Sequence, residues 1–264
     1  MAGRGVLVTG GSSGLGEAMV RRFALGGDRV WFTYRSHPDA AARLVAEVAA
    51  FGGKAEAFEL DQGDAGSHRR LLERVHGPVD VLVNNAAVGT KTVENLVDGP
   101  VEQRDEAFLR VNSVGPLWMI RALLPAMLDR GYGKIVNVCS VGGGIATFPA
   151  FDIADGMSKA ALAYLTRHLA AQLVHDPVHV FAICPGATHT PMLRASLLDA
   201  LSEPHLAELT RRLPGGRLLD PAELAELTWW LCEEPAALLH GAVLDASRGL
   251  GVHPGLVTGP EAGC

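Results

Sequence analysis

The sequence predicts a doubly wound α/β fold, in which helices cover both faces of one parallel β-sheet. Short β-branched segments alternate with longer segments of helical periodicity, which is the pattern of repeated βαβ units. The strand-like segments FTY, VLVNN, IVNVCS and VFAICPG end in polar residues, glycine or proline. The chain has 264 residues, of which 48% are hydrophobic, so residues 1–264 can bury the core of a single domain.

Seven segments are predicted to be strands, and longer segments between them to be helices. The strands are predicted at residues 6–9, 29–33, 55–59, 79–84, 134–140, 178–185 and 242–246. Helical periodicity is clearest at residues 38–50, 101–128 and 158–174. Because open parallel sheets bind ligands outside the carboxyl ends of their strands, we expect the active site at that edge.

Residues 187–216 are the one long segment for which no regular element is predicted. Pro191, Pro204 and Pro214 interrupt it, and it directly follows a predicted strand. Irregular segments of this length beside a strand end often cover active sites. We therefore predict that residues 187–216 form a substrate lid.

Composition excludes several classes of partner. The formal net charge is −6 and no long run of Lys or Arg occurs, so nucleic acid is not an expected partner. No signal peptide precedes the first strand, and no apolar stretch approaches the roughly 20 residues that span a bilayer, so we expect a cytoplasmic protein without a membrane partner. Cys139, Cys184, Cys232 and Cys264 lack CxxC spacing, which argues against a metal site.

A glycine-rich loop, TGGSSGLG at residues 9–16, follows the first predicted strand and leads into a helix. Glycines let the backbone pass close to a pyrophosphate, and the helix N-terminus offers it amide donors. The predicted cofactor residues here are Gly10, Ser12, Ser13, Gly14, Leu15 and Gly16.

Arg35 lies 19 positions after Gly16, at the end of the second predicted strand. In dinucleotide-binding folds an acidic residue near this position holds the ribose hydroxyls of NAD, whereas an arginine accommodates the additional phosphate of NADP. The sequence therefore favours NADP(H) over NAD(H). A solvated arginine at a strand end is the alternative interpretation.

Further motifs follow in a fixed order along the chain. They are Asp61, the turn Asn84-Asn85-Ala86-Ala87, Asn112 in VNSVG, Ser140 at the end of NVCS, and Pro185-Gly186 with Thr188 and Thr190. With these motifs the chain resembles the short-chain dehydrogenase/reductase family over nearly its whole length, although the family has glycine where Ala87 stands. The resemblance implies a Rossmann-type fold, a nicotinamide cofactor and a homodimer or homotetramer.

The resemblance extends the set of expected cofactor residues beyond the glycine-rich loop. It implies that Asp61 contacts the adenine and that Lys159 holds the nicotinamide ribose. The added set is Asp61, Gln62, Asn85, Ala86, Lys159, Pro185, Gly186, Thr188 and Thr190. The segments YRS and SKAAL resemble 3-oxoacyl and enoyl carrier-protein reductases, which implies a small-molecule or carrier-bound acyl substrate.

One member of the catalytic set implied by the resemblance is different in this chain. The family places a proton-donating tyrosine four residues before its lysine, and Asp155 stands there before Lys159. Its enoyl-reductase branch places the tyrosine seven residues before the lysine, and that position is Asp152. The serine that orients the substrate and the asparagine that bridges the lysine through water match Ser140 and Asn112.

The sequence leaves three roles open for Asp155, which are those of an acid, a base and a helix cap. A free aspartate has a pKa near 3.9, so it donates a proton at neutral pH only if burial raises that pKa. Lys159 at i+4 favours the ionised carboxylate, which would act as a base. Either Asp152 or Asp155 could instead cap the following helix. His189 is a further candidate acid beside the expected nicotinamide.

Three functions are compatible with these residues. The first is an NADPH-dependent reductase of an acyl or polyketide-type carbonyl or enoyl substrate, which the cofactor motifs favour. The second is a non-redox cyclase, dehydratase or isomerase that uses Asp155 or Asp152 as a base. The third is a non-catalytic subunit, which the absent tyrosine and the departure at Ala87 favour.

Overall fold

Seven parallel strands form one sheet in the computed structural model, which describes residues 3–148 and 151–253. The strands are β1 Gly5–Val8, β2 Arg29–Tyr34, β3 Lys54–Glu59, β4 Val81–Asn84, β5 Gly133–Val138, β6 Val178–Pro185 and β7 Val243–Ala246. Their order across the sheet is β3-β2-β1-β4-β5-β6-β7. The predicted Rossmann-type doubly wound sheet is confirmed, and each predicted strand is present with ends within two residues.

Helices connect the strands and pack on both faces of the sheet. They are α1 Gly14–Leu25, α2 Pro38–Ala50, α3 Ala65–Arg74, α4 Thr90–Leu96, α5 Val101–Leu109, α6 Gly115–Arg130, the single turn α7 Val141–Gly144, α8 Ile153–Gln172, α9 Pro191–Ser196, α10 Glu203–Arg212 and α11 Pro221–Leu231. The chain runs from β1 outward to β3 and then returns to β4 on the other side of β1. This reversal opens a crevice at the carboxyl ends of the strands, where parallel sheets bind their ligands.

Alternating strand residues fill an apolar layer on each face of the sheet. On one face Val6 and Val8 pack with Phe23 of α1. On the other face Leu7 packs in a cluster with Met119 of α6. All five side chains are fully buried, as expected for a parallel sheet covered on both sides.

Helix α8 begins at Ile153, five residues before the predicted start at residue 158. Asp152 Oδ1 accepts the backbone amides of Ala154 at 2.8 Å and Asp155 at 3.1 Å, so Asp152 is the N-cap. Asp155 lies in the first turn, beyond the cap. Asp152, and not Asp155, is therefore the residue that caps α8.

Residues 187–216 are largely helical, so the prediction of an irregular segment is wrong. Helices α9 and α10 lie within it. Pro191 and Pro204 occupy first-turn positions of these helices, where proline needs no amide partner and its fixed φ suits the helix. The prolines that suggested interruptions therefore begin helices. The role of this segment as a lid stays a prediction.

Helices α5 and α6 are joined by a π-helical turn at Arg110–Val114, which gives a continuous helical segment of 30 residues. By length and composition it is apolar enough to cross a membrane, contrary to the expectation that no stretch approaches that length. Its side chains Phe108, Met119 and Met127 are buried in the protein core. Core helices of globular proteins have the same composition, and the cytoplasmic location stays a prediction.

Candidate active site

A cavity of about 1600 Å³ opens at the carboxyl ends of the strands. It extends from the loops that follow β1 and β2 to the loops that follow β5 and β6, with α9 and α10 along one side. Each predicted cofactor residue lines it, as do Ser140, Asp155 and Lys159. The structure therefore brings the predicted cofactor residues and three of the four predicted catalytic residues into one cavity.

The glycine-rich loop is held by hydrogen bonds from the neighbouring strands. The Gly10 amide donates to Thr33 Oγ1 at 3.0 Å, and Asn85 Nδ2 donates to the Gly10 carbonyl at 3.1 Å. Thr9 Oγ1 accepts the backbone amides of Asn85 and Ala86, each at 3.0 Å. These bonds couple the loop after β1 to the turn after β4, so the two cofactor motifs form one rigid edge of the cavity.

Gly16 shows why this loop requires glycine. A Cβ at Gly16 would lie 2.2 Å from the carbonyl oxygen of Gly10 and 2.6 Å from Asn85 Nδ2. Gly16 lies in the first turn of helix α1, and the side chain of the N-cap Ser13 accepts none of the first-turn amides. Those amides are therefore available to an anion at the positive end of the helix.

The next part of the cavity carries Arg35, Asp61 and Gln62. The Arg35 guanidinium lies 3.6 Å from the Asp61 carboxylate, and both side chains are about half exposed. Gln62 is buried, and its side-chain oxygen and nitrogen have no hydrogen-bond partner in the described residues. An orphaned amide in the wall of a cavity fits a bound ligand with its own donors and acceptors. Ser36 and His37 also line this region, although the motif spacing had not singled them out.

These residues fit a nicotinamide dinucleotide. The loop and the start of α1 suit its pyrophosphate, while Arg35 suits a ribose phosphate. On the other side, Thr188 Oγ1 donates to the Gly186 carbonyl at 2.9 Å, and Thr190 Oγ1 accepts the Leu193 amide at 3.2 Å. Both threonines are thus fixed in the cavity wall.

Asn112 lies in the π-helical turn and is fully buried, and it does not line the cavity. Its Oδ1 accepts the Val88 amide at 2.8 Å, and its Nδ2 donates to the Val88 carbonyl at 3.1 Å and to Ser158 Oγ at 3.0 Å. The same Nδ2 lies 3.5 Å from Asp155 Oδ1. Asn112 therefore positions α8 and its first-turn carboxylate, while Ser158 is a member of this network that the motifs had not indicated.

Ser140 and Lys159 face the cavity from the end of β5 and from α8. Ser140 Oγ accepts the Gly142 amide at 3.2 Å, which fixes the side chain and leaves its hydroxyl hydrogen available. Lys159 is buried, and its Nζ donates to the Val138 carbonyl at 3.3 Å. An ammonium group has three donors, so Lys159 keeps donors for a ligand.

The Asp155 carboxyl has an altered acidity. Burial raises its pKa, the nearby Lys159 ammonium opposes that rise, and the Asp152 carboxylate adds to it. The net direction is upward, which extends the protonated form toward neutral pH. This is the direction that a proton donor requires.

Other candidates for the proton donor lie elsewhere. His189 does not line this cavity, and its backbone amide donates to the Leu219 carbonyl, so the structure does not support it as the acid. Tyr34 lines the cofactor end, whereas Tyr132 is near Arg4 and Tyr164 is exposed on α8. Asp155 and Asp152 both share the catalytic end with Ser140 and Lys159, and the Asp152 carboxylate is engaged as the helix cap.

A family model described as short chain dehydrogenase matches residues 4–200. The chain belongs to the short-chain dehydrogenases. It is 33% identical over 260 residues to oxidoreductase UcpA of Salmonella typhimurium, with 95% of this chain and 96% of the relative covered. It is 34% identical over 253 residues to 2-(R)-hydroxypropyl-CoM dehydrogenase of Xanthobacter autotrophicus, with 91% and 96% covered.

Solved structures of short-chain dehydrogenases have the same fold. An actinorhodin polyketide ketoreductase with NADPH has a TM-score of 0.82 and 30% sequence identity to this chain. The likeness covers 94% of this chain and 97% of that one. These relatives show that the chain is an oxidoreductase of this family. Its cavity has the features expected of a site for a nicotinamide cofactor.

Proposed function

We propose that this short-chain dehydrogenase is an NADPH-dependent reductase of a carbonyl or enoyl substrate, with Asp155 as its proton donor. One observation carries the proposal: a single cavity joins the glycine-rich loop and Arg35 to Ser140, Asp155 and Lys159. A dinucleotide site and an acid of raised pKa thus share one space. The solved ketoreductase with NADPH supports the choice of cofactor.

The residues divide into a binding set and a reacting set. The amides at the start of α1 bind the pyrophosphate, Arg35 binds the ribose phosphate, and Lys159 binds the nicotinamide ribose. Arg35 exchanges its half-exposed ion pair with Asp61 for the phosphate, which costs little because such pairs contribute about 0–1 kcal/mol.

The reduction needs one hydride and one proton. When bound by these residues, NADPH would supply the hydride, with its two electrons, for the electrophilic carbon and would leave as NADP⁺. Ser140 donates a hydrogen bond to the substrate oxygen and so polarises the carbonyl. Asp155 transfers its proton to the oxygen of a ketone, or to the α-carbon of an enoyl substrate, and is later reprotonated from solvent. The side-chain amide of Asn112 contacts Asp155 and Ser158 and so keeps both in place.

A second candidate function follows from the electrostatic attraction between Lys159 and Asp155. If the Lys159 ammonium keeps Asp155 ionised in the ligand complex, the carboxylate acts as a base in a cyclase, dehydratase or isomerase. A non-catalytic subunit that binds dinucleotide is the third. The proposed assembly is a homodimer or homotetramer in which α6 and α8 pair with a second copy, and light scattering after size exclusion tests it.

A fluorescence titration with NADPH and NADH, followed by 3-oxoacyl and enoyl thioesters and free ketones at 340 nm, tests the function. Tight NADPH binding followed by oxidation supports the reductase. Binding without oxidation of NADPH by any of these substrates favours the non-redox enzyme or the subunit. An absence of dinucleotide binding refutes the redox proposal.

A further inference from the structure

Exposed apolar side chains surround the mouth of the cavity at its catalytic end. Exposures of these side chains range from 41% to 80%, and all of them line the cavity. They are Leu96, Phe151, Ile153, Met157 and Met192. Single exposed apolar residues are normal on a protein surface, but a group around one opening marks a binding site for an apolar partner.

The inner wall of this end is apolar and fixed. Phe148 is buried among Val141, Leu213 and Leu250. Its ring stacks on that of Phe151, with centroids 5.2 Å apart and an interplanar angle of 23°. A flat aromatic pair in a cavity wall offers a face on which a ring of a ligand can stack.

Few charges at this end are available to a ligand anion. Asp152 and Asp155 bring negative charge, whereas the cations that line this end, among the described residues, are Lys159 and Arg212. Lys159 donates to a backbone carbonyl beside Asp155. Arg212 interacts with other groups of the protein, and Glu208, which also lines this end, adds a carboxylate that pairs with Arg211. Phosphates and carboxylates are held by arginine or lysine, and this wall does not offer them a cationic patch.

The volume allows a substantial substrate. The cavity measures about 1600 Å³, whereas pockets for one drug-sized ligand measure roughly 300–1,000 Å³. A dinucleotide at the polar end thus leaves room for a second, bulky molecule at the apolar end. Met157 and Met192 at the mouth are adaptable side chains that fit apolar ligands of irregular shape.

We infer that the substrate is a free, uncharged, ring-containing ketone, and that coenzyme A or carrier-protein thioesters are not the form that this site accepts. The inference rests on the proposed reductase function and narrows it. The free ketone differs from the carrier-bound acyl substrate that the sequence suggests. A carrier-bound substrate has a phosphopantetheine arm, which would bring a phosphate to a mouth that is lined by apolar side chains. Reduction of this ketone to the alcohol would take its proton from Asp155 and its hydride from bound NADPH, which would leave as NADP⁺.

Binding and turnover together test the inference. Calorimetric titration measures the affinity of 1-tetralone, a bicyclic ketone, and of acetoacetyl-CoA for the protein with and without NADP⁺. The rate of NADPH oxidation with 1-tetralone, cyclohexanone and acetoacetyl-CoA is then measured. We expect kcat/KM for 1-tetralone to exceed that for cyclohexanone by roughly tenfold or more, because its additional ring buries more apolar surface.

The outcomes separate the inference from the proposed function. Binding and reduction of 1-tetralone in preference to acetoacetyl-CoA support both. Binding of 1-tetralone without NADPH oxidation supports the inference on the substrate class and refutes the reductase. More efficient binding and reduction of acetoacetyl-CoA supports the reductase and overturns the inference. Failure of 1-tetralone to bind also overturns it.

A pair of variants locates the binding site. Met192→Ala removes an exposed side chain from the mouth, so the fold should tolerate it, and the Kd for 1-tetralone should rise by roughly three- to tenfold. Leu238→Ala, at a 92% exposed apolar residue that does not line the cavity, is the matched control and should leave the Kd unchanged. Equal affinities in both variants and the parent protein would place the ketone elsewhere and overturn the inference.

Discussion

Replacing Asp155 by Asn tests the proposed proton donor most directly. Asn has nearly the shape of Asp and accepts a hydrogen bond from Asn112, but it cannot give a proton to the substrate. General acid catalysis contributes roughly 10²- to 10⁴-fold to a rate. We therefore expect kcat for ketone reduction to fall by at least about 100-fold, with the Kd for NADPH unchanged.

The same substitution should stabilise the fold. Burial raises the pKa of Asp155, so the folded protein binds this proton more tightly than the unfolded chain does. The stability associated with the group is therefore fully present below the unfolded pKa of 3.8 and is lost as the pH rises through the folded pKa. At pH 7 the neutral Asn avoids that loss, although Lys159 reduces it. An increase in Tm is therefore expected at pH 7, with no increase near pH 3.

The assay combines pH profiles of the reduction with thermal unfolding at several pH values. Asp152→Asn is the matched control, because Asn caps a helix about as well as Asp and removes the neighbouring charge. The control should retain stability near that of the parent protein, and its activity should decline at a slightly lower pH because the charge that adds to the rise in the Asp155 pKa is removed. Unchanged kcat in Asp155→Asn would refute the role of Asp155. An equal loss in both variants would instead assign the effect to local charge.

Further predictions concern the cofactor end of the cavity and His179 in β6. Arg35→Ala should raise the Kd for NADPH by about tenfold without changing that for NADH, because a charge-assisted contact to phosphate is lost; Arg29→Ala, at the other end of β2, should change neither. Gly16→Ala should weaken dinucleotide binding by at least about tenfold, measured by fluorescence titration, because the new Cβ would lie 2.2 Å from a backbone carbonyl. Burial lowers the pKa of His179, which accepts a hydrogen bond from Lys134, from 6.5. Since the unfolded chain then binds more protons, stability should fall as the pH drops below about 6.5, and His179→Gln should make this fall in Tm shallower. An unchanged NADH-to-NADPH preference, unchanged dinucleotide affinity or an unchanged pH slope would contradict these three predictions respectively.

Periodicity predicted the sheet because its central strands β1, β4 and β5 are buried on both faces and are therefore short apolar runs. Val6, Leu7 and Val8 fill both layers of the core, so the strand is visible without knowledge of its partners. The glycine-rich loop was equally visible, since the collision that a Cβ would make at Gly16 is a local property of the turn. Local constraints of this kind can be predicted from the sequence alone.

Long-range contacts decided what the sequence left open. Both Asp152 and Asp155 precede an apolar helical run, and only the contacts of the Asp152 side chain with the first-turn amides identify the cap. The buried position of Asn112 depends on the π-helical turn, which brings it to Val88 and Ser158. No periodicity in the sequence announces that turn, because it depends on the helices that pack around it.

The residues of the apolar mouth are scattered along the chain, which is why no motif revealed them. Leu96 ends α4, Phe151 precedes α8, and Met192 lies in α9. Their common feature is the space they enclose. The helices α9 and α10 beside that space were not predicted, because prolines suggest loops in a sequence although Pro191 and Pro204 begin helices here.

Burial in this part of the cavity removes water from the Asp155 carboxyl, and this desolvation raises its pKa. An uncharged ketone that fills the mouth removes more water from the carboxyl and should raise its pKa further, which favours the protonated donor. Because kcat/KM reports the free enzyme and kcat the substrate complex, the alkaline limb of kcat for 1-tetralone should lie at higher pH than that of kcat/KM. A limb at the same or lower pH would mean that the ketone does not desolvate Asp155, and the proposed link between substrate class and proton donor would fail.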